Sequence, residues 1–143
     1  MRLARDFFAD TRRAVKRLRS IQLLIQFDGE DWKPVDPRAS NSASDPTASR
    51  GIYYAEILPA KLAQLHAEER ELTDMIGEAL ALIERVRSNL GDKYADPLDW
   101  RYIDLRTWEY IYTTYNIPKS TAYERMSIAL DWLDSEEELL HDD

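Results

Sequence analysis

Seven polar side chains between residues 106 and 125 have the types and the spacing that contact with DNA requires. They are Arg106, Lys119, Ser120, Thr121, Tyr123, Glu124 and Arg125. Six of the seven fall within residues 119–125, which is about two turns of a helix. Such a group can reach base edges if it occupies the first turns of a helix lying in the major groove.

The three residues at 119–121 suit the bases themselves. Lys119 can donate to guanine O6 and N7 or to a phosphate, and the hydroxyls of Ser120 and Thr121 can bond to bases or to the backbone. The methyl group of Thr121 can also pack against a thymine methyl. This turn is therefore the predicted source of sequence discrimination.

The other four side chains suit the sugar-phosphate backbone. Tyr123 can contact sugar and phosphate, Arg125 can reach a flanking phosphate or a guanine, and Arg106 is an expected backbone clamp. Glu124 can accept from cytosine N4, or it can repel the DNA. The alternative is a three-helix structural bundle with ordinary surface charges, and the residue types alone leave both interpretations open.

Residues 98–133 have the sequence pattern of a helix-turn-helix, and its two helices are expected to position these side chains. Thr107 is expected to cap the first helix. Asn116 tolerates the left-handed conformation in which a helix ends, and Pro118 fixes φ where the next helix begins. Apolar residues recur at helical spacing and are expected to face inward: Trp108, Ile111, Tyr112, Tyr115, Ala122, Met126, Ala129, Leu130 and Leu133.

The segments 107–111, 115–123 and 129–130 together resemble region 4 of bacterial sigma factors. They resemble more closely the phage-encoded regulators of the ArpU/RinA type, which share the Arg-Tyr-Ile segment at 101–103, a Thr/Ser-Trp helix start and an Ala-Leu pair. The resemblance covers about a quarter of the chain, and it departs at Pro118 and Glu124. It implies a sequence-specific DNA-binding transcriptional regulator, an activator of late phage genes, with double-stranded DNA and host RNA polymerase as partners.

The whole chain is predicted to be all-α: a long helical hairpin or coiled coil followed by a C-terminal three-helix helix-turn-helix unit. Five segments are expected: a basic amphipathic helix over 1–26, a flexible polar linker over 27–50, a long coiled-coil-like helix over 51–91, the sigma-region-4-like unit over 92–134 and an acidic tail over 135–143. Gly91 is expected to end the long helix. Asp96 is expected to cap the next helix, with Pro97 at its first position.

Both long helices have an apolar seam at steps of three and four residues. In the first helix the predicted seam is Leu3, Phe7, Ala14, Leu18, Ile21 and Ile25; in the second it is Leu58, Leu62, Leu65, Leu72, Ile76, Ala79, Ile83, Val86 and Leu90. The second helix is predicted to be longer by ~10 residues or more, which leaves about 15 Å of seam without a partner in the same chain. This surplus predicts a homodimer.

Composition excludes several classes of function. The chain has no cysteine, so neither a disulfide framework nor a thiolate metal site is expected. No apolar run approaches the ~20 residues of a membrane span, and the N-terminus lacks the pattern of a signal peptide. We therefore expect a soluble protein in the cytoplasm of a bacterial host cell. His66 and His141 lack a Ser or Cys at a recognisable spacing, so we expect no enzyme, cofactor, metal site or small-molecule substrate.

Charge is distributed unevenly around a net value of −8. Residues 1–26 contain seven basic and two acidic side chains, whereas 131–143 contain seven acids and neither Lys nor Arg. The basic helix can touch phosphate, although pairing with acids of a neighbouring helix is the commoner arrangement. Counterion release from DNA scales with the number of phosphates that a protein neutralises, so the net charge predicts weak nonspecific binding to DNA. A dimer or a polymerase partner would have to supply the missing affinity.

Two other functions are compatible with the same sequence. One is a phage DNA-packaging or assembly protein, such as a small terminase-like subunit with a helical oligomerisation arm. The other is a protein-interaction module that has lost DNA binding. A dimer on one DNA sequence indicates the regulator, a ring-sized oligomer indicates the packaging protein, and no DNA binding at any salt indicates the module.

Overall fold

The computed structural model describes residues 3–30, 55 and 57–141, and the side chains of 3–26, 55 and 57–136. In chain order the elements are α1 (Ala4–Glu30), α2 (Leu58–Leu90), α3 (Asp92–Leu98), a π-helical turn (Asp99–Ile103), α4 (Trp108–Thr114) and α5 (Lys119–His141). Within these described ranges there is no strand. The all-α fold class is confirmed, with a pair of long helices ahead of the C-terminal ones.

Several boundaries differ from those the sequence predicts. Helix α1 continues to Glu30, four residues beyond the predicted end at 26, and α2 begins at Leu58 rather than at 51. Residues 31–50 of the predicted linker lie outside the described residues. Helix α5 continues to His141, so most of the predicted acidic tail is helical. Glu and Leu are strong helix formers, which favours this extension.

The chain forms two compact units, Met1–Arg17 with Leu72–Asp143, and Leu18–Glu71. The second unit buries Ile21, Leu58 and Leu65, all of which belong to the predicted seams. All seven candidate DNA-contacting residues lie in the first unit. The candidate interface is therefore built within that unit alone.

The core of the first unit draws on four helices. Helix α2 contributes Ala79, Ile83 and Val86, which are spaced at four and three residues as predicted. The other buried members are Ala4 and Phe8 of α1, Ala95 and Leu98 of α3, and Met126, Ala129, Leu130 and Leu133 of α5. Burying each large member contributes roughly 1.5–3 kcal/mol, so this stripe fixes α5 against its neighbours.

The predicted seam at the start of α1 is wrong by one residue. Leu3 is 50% exposed, whereas Ala4 and Phe8 are buried. Thr11, a polar residue that the apolar pattern omitted, is fully buried. Its hydroxyl donates to the carbonyl of Phe7 at 2.9 Å, which satisfies the buried group within the helix itself. The buried stripe therefore passes through 4, 8, 11 and 15, and it includes the predicted Ala14.

Gly91 both ends α2 and begins α3. Its N–H donates to the Arg87 carbonyl at 3.1 Å, and its carbonyl accepts from Tyr94 and Ala95 N–H groups, each at 3.2 Å. The prediction that Asp96 caps a helix beginning at Pro97 is therefore wrong, because Pro97 lies inside α3. Pro97 removes one helical hydrogen bond, and two residues later the chain changes to the wider π-helical turn.

Exchange of glycine for alanine at this junction should destabilise the protein. Gly91 has φ 101° and ψ 171°, a region almost restricted to glycine, so Gly91→Ala should lower the free energy of unfolding by about 1–3 kcal/mol. No atom lies within 4 Å of the added Cβ, so the effect is conformational rather than steric. Urea denaturation monitored by circular dichroism measures it.

The matched control is Gly77→Ala, in the interior of α2, where the added Cβ also meets nothing within 4 Å. There alanine should raise stability by about 0.5–1 kcal/mol, because glycine loses more conformational freedom in a helix. Equal effects at the two positions would contradict the assignment of Gly91 as the junction.

Candidate nucleic-acid interface

The turn between α4 and α5 has the local geometry that the sequence predicts. The Thr107 hydroxyl accepts from the Tyr110 N–H at 3.1 Å and caps α4. Asn116 has φ 53°, the left-handed conformation expected at the helix exit. The Pro118 carbonyl accepts from Thr121 and Ala122 N–H groups at 3.1 and 3.2 Å, which begins α5. Four residues, 115–118, thus separate the two helices.

The inward faces of α4 and α5 hold the pair together. Ile111 and Ala122 are fully buried and Met126 is 4% exposed. Trp108 and Tyr115 are half-buried. Because alanine is small, the side chain of Ala122 lets the start of α5 approach its neighbours, while Tyr123 and Glu124 beside it are exposed.

The structure brings six of the seven candidate DNA-contacting residues together along the first two turns of α5. Five of the seven are exposed, namely Arg106, Lys119, Ser120, Tyr123 and Glu124, while Thr121 and Arg125 are half-buried. Arg106 lies in the segment immediately before Thr107. The first turn of α5 thus offers an ammonium group and two hydroxyls to a ligand approaching from solvent.

The seven candidate DNA-contacting residues form the α5 surface, and each of its three cations lies over an aromatic ring. Arg106 Cζ is 4.5 Å from the ring centroid of Tyr110, and Lys119 Nζ is 5.5 Å from that of Tyr123. Arg125 Cζ is 5.5 Å from the ring centroid of Tyr115. Exposed cation–π contacts are worth about 0.5–1 kcal/mol each, enough to favour one rotamer of a long side chain.

Ring contacts connect α4 and α5 to the preceding π-helical turn. The ring centroids of Trp108 and Tyr123 are 4.2 Å apart. Trp100 of the π-helical turn lies 5.3 Å from Tyr115 and 5.5 Å from Tyr110, centroid to centroid. Three of these rings also lie under cations of the surface. The aromatic residues therefore position the basic side chains.

An ion-pair network joins α2, α3 and the turn. Arg87 Nη1 donates to Asp92 Oδ1 at 2.6 Å and to Asp96 Oδ1 at 2.7 Å. The Tyr115 hydroxyl donates to Asp96 Oδ2 at 2.6 Å. Burial first, and the hydrogen bond to Asp96 second, raise the pKa of Tyr115 above its ordinary value. The phenol therefore remains a donor throughout the neutral range.

Three acids in the second half of α5, at 131, 134 and 136, are engaged by α1 and α2. Asp134 Oδ1 accepts from the Ala4 N–H at 2.6 Å, which caps the N-terminus of α1. Asp131 lies 3.8 Å from Arg5, and Glu136 lies 3.8 Å from Arg85, measured between oxygen and nitrogen. These carboxylates have structural partners at the end of α5 remote from Lys119.

Sequence reasoning missed the contribution of Arg101 to this surface. Its guanidinium lies 5.4 Å from the ring centroid of Trp108, and its Nη1 donates to the Arg106 carbonyl at 3.2 Å. The signal was present, since Arg101 begins the Arg-Tyr-Ile segment. Only the structure shows that this residue supports both Arg106 and the first residue of α4.

Other kinds of site receive little support from the described side chains. Among residues 3–26, 55 and 57–136, no group of three metal-ligating side chains converges. In the described part of the chain, every helix is too short or too polar to cross a bilayer. No protein-family model, curated protein or solved structure matches the chain. Function is therefore inferred from the surface around α5.

Removal of the Tyr115 hydroxyl should loosen the turn that precedes α5. Tyr115→Phe deletes a hydrogen bond to a carboxylate that is itself only 23% exposed, so the free energy of unfolding should fall by about 1–2 kcal/mol. Chemical denaturation measures the change. The control is Tyr110→Phe, which removes the same atom from a side chain 38% exposed and should stay within about 0.5 kcal/mol of wild type. Equal losses would show that the Asp96 bond does not stabilise the turn.

Proposed function

We propose that this protein is a sequence-specific DNA-binding transcriptional regulator and that α5 is its recognition helix. The observation that carries the proposal is the first turn of α5, which follows a four-residue turn after α4 and in which Lys119 and Ser120 are exposed and Thr121 is half-buried. A helix so presented can enter the major groove, where the first-turn side chains meet base edges.

In this proposal the surface side chains divide between bases and backbone. Lys119 and Thr121 read base edges, with Ser120 on a base or a sugar. Arg106 and Arg125, each held over a tyrosine ring, contact phosphates on either side. Tyr123 and Glu124 are exposed on the same two turns of α5. In this proposal Glu124 accepts a hydrogen bond from a cytosine amino group.

The proposal includes a homodimer, because one recognition helix with few basic side chains would bind weakly. Paired helices read half-sites about one DNA turn apart. Helix α2 is six residues longer than α1 rather than the ten or more that the sequence predicts, so the surplus seam is shorter than expected. The exposed apolar residues of α1, Leu23 at 67% and Leu24 at 39%, are the proposed contact.

The resemblance to phage regulators of the ArpU/RinA type supplies the remainder of the proposal. We propose activation of late phage genes in the cytoplasm of a bacterial host, with host RNA polymerase as the protein partner. The protein acts by binding and not by catalysis.

Loss of the first-turn donors should weaken binding to a specific site. In an electrophoretic mobility shift on DNA from its own phage genome, wild type should shift one intergenic segment discretely. Lys119→Ala/Thr121→Ala should weaken that shift by roughly 30-fold or more, because it removes two base contacts worth about 1–3 kcal/mol each. The matched control is Lys61→Ala/Thr73→Ala, which removes the same side chains from exposed positions of α2.

The control should bind as wild type does. Equal weakening of both double variants would contradict recognition by α5 and indicate an effect of charge alone. No shift by wild type at any salt would overturn the regulator and favour the protein-interaction module.

Replacement of the exposed leucine pair should dissociate the proposed dimer. Sedimentation equilibrium should give wild type twice the mass of one 16.7 kDa chain, and Leu23→Gln/Leu24→Gln should shift the equilibrium toward monomer. Leu80→Gln, at an α2 side chain 40% exposed, is the control and should leave the dimer intact. A ring-sized mass would instead favour the DNA-packaging alternative, and a monomeric wild type would overturn the dimer.

A further inference from the structure

A cleft lined by positive charge lies where α1 meets the π-helical turn and the first residue of α4. Its volume is about 320 Å³. Its walls include four cations and two aromatic rings: Arg12, Arg13, Lys16, Arg101, Tyr102 and Trp108. Three of the cations come from α1 at positions 12, 13 and 16, which share one helical face. Among the described residues that line this cleft there is no carboxylate.

The cations of the cleft are not equally neutralised by the protein. Arg13 Nη1 lies 2.9 Å from Asp10 Oδ1, so part of its charge is balanced. Arg12 Nε, by contrast, is buried and has no hydrogen-bond partner among the described residues. A buried N–H of a charged group that lacks an acceptor costs free energy, which an anionic ligand would recover.

Arg12 and Arg101 also act on one another. The pKa of Arg101 is lowered, chiefly by burial and next by the positive charge of Arg12. These two side chains come from positions 89 residues apart in the chain. Two partly buried guanidinium groups that repel one another form a site for an anion, because an anion between them removes the repulsion.

The chemistry of the walls favours a phosphate over a nucleobase. Arg101 lies over the Trp108 ring at 5.4 Å, and Tyr123 contacts that ring at 4.2 Å between centroids. With the ring so engaged, Trp108 offers little open face on which a base could stack. The lining also includes the guanidinium groups of Arg12, Arg13 and Arg101, and the planar fork of a guanidinium matches phosphate oxygens.

The cleft is connected to the start of α5 by direct contacts. Trp108 forms part of its wall and touches Tyr123, and Lys119 lies over the Tyr123 ring at 5.5 Å. We propose that this cleft binds a phosphate of the DNA backbone beside the bases that α5 reads, held by Arg12 and Arg101. The inference rests on the proposed DNA-binding function and adds α1 to the interface.

The test measures the salt dependence of DNA binding by full-length protein. Fluorescence anisotropy on the shifted segment should show that Arg12→Gln reduces the slope of log affinity against log salt by about 0.9, the value for one phosphate. Arg101→Gln, which also loses its hydrogen bond to the Arg106 carbonyl, should reduce the slope by at least as much. Relative affinities for mutated sites should be unchanged, since a phosphate carries no base identity. Arg70→Gln removes the same charge from an exposed position on α2 and should leave the slope at the wild-type value.

A second arm uses inorganic phosphate alone, titrated into wild type and into Arg12→Gln by isothermal calorimetry. If wild type binds DNA and both cleft variants retain its slope, the inference fails while the proposed function stands. If inorganic phosphate binds through Arg12 but DNA binding does not depend on Arg12, the cleft binds a free phosphate. That result would overturn the assignment of the cleft to a DNA phosphate. If wild type binds no DNA, the proposed function fails, and the phosphate arm alone decides whether the cleft is an anion site.

Discussion

The guanidinium of Arg87 connects the parts of the first unit on which the α5 surface depends. It lies in the last turn of α2 and donates to two carboxylates of α3. The Asp92 carboxylate is 72% exposed, so its bond to Arg87 contributes little to the stability of the fold. The Asp96 carboxylate is only 23% exposed, so its bond to Arg87 contributes more. These hydrogen bonds raise the pKa of Arg87 further above its already high ordinary value, so the residue remains a cation wherever the protein is folded.

Asp96 carries the connection from α3 to the turn before α5. One of its oxygens accepts from Arg87 and the other from the Tyr115 hydroxyl. Tyr115 in turn contacts Trp100 and lies under Arg125. The conformation of a basic side chain on α5 is thus linked, through a phenol and a carboxylate, to the end of a 33-residue helix. Such a support fixes a surface before any ligand arrives, which reduces the ordering cost of binding.

Residue type and spacing predicted the parts of this surface that local chemistry determines, such as the Thr107 cap and the left-handed Asn116. The cap assigned to Asp96 was wrong because its carboxylate is used by partners that the local sequence does not reveal. The first turns of the α1 stripe moved by one residue, whereas the predicted Ala14 and Ile21 are buried. Thr11 satisfies its hydroxyl on the backbone and can be buried there, which a purely apolar pattern does not anticipate. The basic residues of α1 were visible in the sequence. That three of them line one cleft with Arg101 depends on how α1 packs against the π-helical turn, which the sequence pattern does not give.

The distribution of the acids reconciles a net charge of −8 with a surface proposed to meet DNA. Asp131 is twelve residues beyond Lys119 on the same helix, a separation of about 18 Å at 1.5 Å per residue. The Debye length at physiological ionic strength is about 8 Å, so exposed acids at that distance scarcely act on the first turn. Asp131 and Glu136 lie near Arg5 and Arg85, and Asp134 caps α1, so their charges are further balanced where they stand. The potential met by an approaching phosphate is therefore determined mainly by the charges near the start of α5, Glu124 included, and by the cations of the cleft beside it. The total charge is a poor guide to that potential.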